Sequence, residues 1–91
     1  MSSEKVIEIA NKMYQARKTA LGLLGPEKFR EKVAEYSSFI RGAMKKHECE
    51  EITAAMEIIT VLQSKGDMDT GVAQMLTLAA CVEMIEPMEV V

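Results

Sequence analysis

The chain has no tryptophan and only two tyrosines and two phenylalanines. Without large rings, its core volume has to come from Leu, Ile, Val, Ala and eight methionines, which are unbranched and fill irregular gaps. Two prolines leave long stretches free of the strongest helix breaker. Cys49 and Cys81 show no paired spacing. The reading is two buried, reduced thiols in a cytosolic protein, with a disulfide between them as the alternative. His47 is the single histidine, so "HEC" at 47–49 has no second histidine and no paired cysteine to complete a four-ligand zinc set. His47 and Cys49 lie two apart on a helical register and face different ways, which disqualifies them as a base and nucleophile. No window reaches the ~18–20 apolar residues of a membrane span. The start "MSSEKVIEIANK" lacks the basic-then-apolar order of a secretory signal. The expectations are a cytoplasmic location, no cofactor, no metal, no membrane contact and no enzymatic activity.

What is present is a small, apolar-rich and electrically divided chain. At 91 residues and 48% hydrophobic content it suits one folded domain with a limited core. Its net charge of −3 hides an asymmetry. Residues 1–46 hold ten Lys or Arg against five Glu, a net of +5, and residues 47–91 hold Lys65 alone against nine Asp or Glu, a net of −8. Either the two halves face each other, within one chain or between two, or the basic half attracts an anion or an acidic partner.

Helical spacing runs through the whole sequence, and no segment alternates with period two. The first helix is predicted over about 3–24. Val6, Ala10, Met13, Arg17, Ala20 and Leu24 step by four and three, Ile7, Tyr14 and Leu21 widen the stripe, and Ser2 or Ser3 supplies the cap. Gly25 stops this helix and Pro26 opens the next, over about 26–46, with Phe29, Val33, Tyr36, Ile40, Ala43 and His47 on its seam. A third helix is expected over 48–64, where "KKHECEE" switches from cations suited to a helix end to acids suited to a helix start. Ile52, Met56 and Ile59 form its stripe. The fourth, about 69–86, follows Gly66, is capped by Asp67 or Asp69 and stops at Pro87.

That last helix poses the main question. Between Val72 and Ile85 only Gln74, Thr77 and Glu83 are polar, so it is apolar nearly all round. Either the other three helices surround it, or a second copy of the chain covers its remaining side. Ile9, Ala16 and Leu23 on the first helix, and Ile58 and Val61 on the third, lie off the main stripes and add apolar surface. The expected architecture is therefore all-α: a four-helix antiparallel bundle of two helical hairpins, dimerising through the third and fourth helices with Ile58, Val61, Leu76, Ala80 and Met84 at the self-association face.

Three groups could carry chemistry. Tyr14, Arg17 and Lys18 share one side of the first helix, and Arg17 occupies a position where an apolar residue is expected. Either its stem packs while the guanidinium snorkels out or pairs with an acid, or Tyr14 stacks on a planar ligand whose phosphates Arg17 and Lys18 hold. "PEKFREK" supplies Lys28, Arg30 and Lys32 with acids interleaved, and Arg41, Lys45 and Lys46 extend the basic side. These six are the candidate partner surface, although interleaved acids suit nucleic acid poorly. "DMDTG" lacks the further ligands and closing Glu of a calcium loop. The apolar, acidic last helix does not fit a DNA recognition helix.

The resulting expectation is a non-catalytic interaction protein that binds itself and another protein as an inhibitor, adaptor or regulator. In size and composition it resembles the compact accessory proteins of bacteria and phages, with no motif to go with that likeness. The alternatives are sequestration of a small anionic, nucleotide-like ligand at Tyr14, Arg17 and Lys18, and weak nucleic-acid binding.

Overall fold

The computed structural model describes residues 3–66 and 70–86, and every element in them is helical. The elements are α1 (Ser3–Leu24), α2 (Pro26–His47), α3 (Glu51–Lys65) and α4 (Thr70–Ile85). The caps proposed at Ser2, Asp67 and Asp69, and the stop at Pro87, lie outside the described residues. The Cα radius of gyration is 12.8 Å, close to the ~12 Å of a compact chain of this length.

The turn chemistry explains the breaks. Gly25 sits at φ 83°, a conformation that costs glycine nothing, and donates its N–H to the Leu21 carbonyl at 2.9 Å. Pro26 follows at the first helical position, where a missing N–H is harmless. Gly66, at φ 70°, closes α3. The α2–α3 break has neither Gly nor Pro. Glu48 itself takes the left-handed conformation at φ 50°, and the Cys49 N–H bonds back to the Met44 carbonyl at 3.2 Å. Cys49 and Glu50 then run outside any helix, so α3 begins at Glu51, three residues after the first acid of the charge switch. A charge switch marks a helix boundary without revealing how many residues the turn consumes.

α4 is the hub. It packs against α1, α2 and α3, and α2 also packs against α3 and more lightly against α1. α1 and α3 do not meet: among the described residues no Cα of one comes within 8 Å of the other. The core has two centres along α4. One gathers Met13, Ile40, Ala54, Ala55, Ala80, Cys81 and Val82. The other gathers Ala20, Phe29, Leu76 and Ala79. Ala20, Ala54, Ala55, Ala79 and Ala80 are all fully buried, and such small residues let helix axes approach closely. Two polar side chains, Ser37 and Thr77, are also buried. Thr77 satisfies its hydroxyl by donating to the Ala73 carbonyl at 2.7 Å.

The open side of α4 as a candidate functional site

Three helices cover three sides of α4, and the fourth side faces the gap between α1 and α3. On α4 the residues facing that gap are Gln74, Leu78, Val82 and Ile85, spaced as one stripe of a helix. Ile52, Met56, Ile59 and Gln63 of α3 form one wall, with the spacing of a second stripe. Ile9, Met13 and Tyr14 of α1 form the other. The result is a groove with two hollows that share Ile9. One, of about 180 Å³, lies at the Ile85 end and is bordered by Ile9, Ala10, Met13, Tyr14, Ile52, Val82, Ile85 and Glu86. The other, of about 260 Å³, lies at the Gln74 end beside Lys12, Met56 and Ile59. Ile52 is 40% exposed and Ile85 is 47% exposed. Ile7, also exposed, stands on the same α1 stripe as Ala10 and Tyr14. Large apolar side chains left in water around an apolar cleft mark an interaction surface.

A polar latch borders the hollow at the Ile85 end. Arg17 Nη1 donates to Glu83 Oε1 at 2.9 Å and to the main-chain carbonyl of Glu86 at 2.8 Å. The Tyr14 hydroxyl donates to Glu86 Oε2. The Arg17 guanidinium carbon also stands 5.3 Å from the centroid of the Tyr14 ring. Side chains of the Arg17–Glu83 pair are only 14% and 17% exposed, so each ion shields the other from an uncompensated, largely dry site. The Glu86 carbonyl lies just past α4, where helical carbonyls lack intrahelical donors. The hydrogen bond to Glu86, together with burial and the Glu86 charge, raises the Tyr14 phenol above its ordinary value of 10.0, opposed by the Arg17 charge.

The structure thus brings Tyr14 and Arg17 together but turns both toward the acids of α4, while Lys18 is exposed and takes no part. Two carboxylates stand where an anion would have to enter. The basic residues of α2 do not form one face. Helical spacing puts Lys28, Lys32 and Lys46 on one flank of its buried stripe and Arg30, Arg41 and Lys45 on the other, and Lys32 pairs with Glu35 at 3.4 Å. Of the expected self-association residues, Val61 is exposed, and Ile58 and Met84 are half-buried against the core. Leu76 and Ala80 are instead sealed inside the chain itself, Leu76 against Ala20 and Phe29 and Ala80 in the cluster of Ile40 and Cys81. Their side of α4 is already covered by α1, α2 and α3, so they offer nothing to a second copy.

Sequence reasoning missed Glu83 and Glu86 as the partners of the latch. The signal was there for Glu83: it is the one charge in the apolar run 72–85, as Arg17 is the one charge on the α1 seam. Two isolated opposite charges on buried stripes find each other because neither can stay unpaired. Cys81 is fully buried, and burial, with a smaller contribution from Glu51, pushes its thiol up to about 11, which makes it an inert core residue rather than a nucleophile. Among the described residues no cluster of His, Cys, Asp or Glu has the grouping to hold a metal ion, and no helix is long and apolar enough to cross a membrane. Neither the known protein families, nor the curated proteins, nor the solved structures give a match to this chain.

Proposed function

We propose that this chain is a non-catalytic helical interaction protein, an inhibitor, adaptor or regulator that acts by docking a macromolecular partner. The observation that carries this reading is the apolar groove between α1 and α3, with Ile52 and Ile85 exposed at one end of it. The internal use of Tyr14 and Arg17 in the latch supports it further, since it draws both side chains away from the anionic, nucleotide-like ligand that they would otherwise hold. The finer architecture consistent with this role is an antiparallel bundle of two hairpins.

A second reading is self-association through α3 and α4, favoured by Val61 and Val72 exposed on those helices. Light scattering on untagged protein over a range of concentrations reads it directly.

The docking role is tested by affinity capture from the native host with three forms of the chain: the natural sequence, Ile85→Glu in the groove, and Val72→Glu as an exposed apolar control. The role predicts a stoichiometric protein partner that Ile85→Glu loses and Val72→Glu keeps. A partner indifferent to Ile85→Glu, or recovery of a nucleotide or nucleic acid instead, would overturn it.

A further inference from the structure

We infer that the groove takes an amphipathic α-helix of a partner protein, about three turns long, that carries a Lys or Arg beside the apolar side chain entering the hollow at Tyr14 and Glu86. This rests on the docking role proposed above and adds the chemistry of the partner.

The dimensions select a helix. From Gln74 to Ile85 the open stripe of α4 spans twelve residues, or ~16 Å at the rise of an α-helix. A helix laid there becomes the fourth neighbour of α4 and offers anchors at i, i+3 or i+4, and i+7. The two hollows, of about 180 and 260 Å³, each suit one large side chain, since an apolar cavity of ~150 Å³ accepts a benzene ring.

Charge selects the flank. Glu86 borders the hollow, and its carboxylate accepts the Tyr14 hydroxyl with one oxygen while retaining capacity for a further donor. Arg17 pairs with the Glu83 carboxylate and reaches only the main-chain carbonyl of Glu86, and among the described residues no ion pair engages the Glu86 carboxylate. A cation at this end therefore meets uncompensated acid, and an acid there is repelled.

A second copy is the weaker occupant. Outside the groove, α1 exposes Leu23, α2 exposes Phe39, α3 exposes Val61 and α4 exposes Val72. None of the four described helices presents three large apolar anchors on one outward stripe.

The test uses the intact protein and two synthetic 18-residue helical peptides with the same three leucine anchors, one flanked by lysines and one by glutamates. Binding is read by fluorescence anisotropy, and the site by amide shifts in the isotope-labelled chain. The lysine peptide is expected to bind at least tenfold more tightly, with shifts concentrated in residues 9–14, 52–63 and 74–86. Glu86→Gln is expected to remove most of that preference. Tyr14→Phe, which deletes the latch bond but keeps the carboxylate, is expected to retain it. Equal binding of both peptides in the groove would overturn the charge selection while leaving the docking role intact. Absence of groove shifts with either peptide would overturn the helix assignment. A concentration-dependent dimer that Ile85→Glu dissociates would overturn it in favour of a second copy.

Discussion

The two sides of α4 are built from the same kind of residue and end in opposite states. Toward α2 and α3 the helix presents Ala80 and Cys81, both fully buried in one cluster with Ala54 and Ala55, and Ala79 is equally buried beside Ala20 and Phe29. Toward the α1–α3 gap it presents Leu78, Val82 and Ile85, which line the groove and run from 4% exposed at Val82 to 47% exposed at Ile85. The small residues are on the sealed side because close helix approach requires them. Leu78, Val82 and Ile85 form the floor of a groove. Neither apolar character nor residue size by itself tells the covered side from the open one, since Leu76 is sealed beside Ala20 and Phe29 while Ile85, of similar size, is 47% exposed.

A charge introduced on each side of α4 should separate the two sides most strongly. Ala80→Glu places a carboxylate at a position with no exposure and is expected to cost more than about 4 kcal/mol, so urea titration should find little folded protein. The same carboxylate at Ile85, 47% exposed, is expected to change stability by no more than about 0.5 kcal/mol. Similar losses at both positions would mean that the open side is covered.

The latch comes next. Arg17→Leu leaves Glu83 unpaired at a largely buried position and is expected to cost about 2–3 kcal/mol. Arg17→Leu with Glu83→Leu should recover most of the loss, and a double-mutant cycle by denaturant unfolding measures the coupling.

Cys81 marks the sealed side by its titration. Its thiol is raised from 9.0 to about 11 in the folded chain, so the folded state holds the proton more tightly than the unfolded state. Its contribution to stability is complete below about pH 9 and is lost as the pH rises toward 11. Melting temperatures recorded across that window should fall less steeply for Cys81→Ala than for the natural chain. The smallest effect is a gain. Glu48 holds a left-handed conformation at φ 50°, so Glu48→Gly should add about 1 kcal/mol, read as a raised melting temperature.

Much of this fold is legible in the sequence, because four-and-three spacing on α1 and α2 and the Gly25–Pro26 pair follow from local geometry alone. The turn at Glu48 is not legible, since it uses a non-glycine residue in a conformation that sequence patterns assign to glycine or asparagine. The groove is only half legible. Ile52, Met56 and Ile59 read as a core stripe, and a stripe looks the same whether or not a neighbour covers it. The basic surface on α2 reads as one patch because sequence proximity conceals that Lys28 and Arg30 fall on opposite flanks of a helix.

In the isolated chain one side of α4 lines an open groove. The most direct measurement is the broadening of isoleucine methyl signals by a soluble paramagnetic agent. The structure predicts strong broadening at Ile52 and Ile85, an intermediate effect at Ile9, and none at Ile40, which is fully buried. Protection of Ile52 and Ile85 to the level of Ile40 would mean that the groove is already filled and that no side of α4 is open.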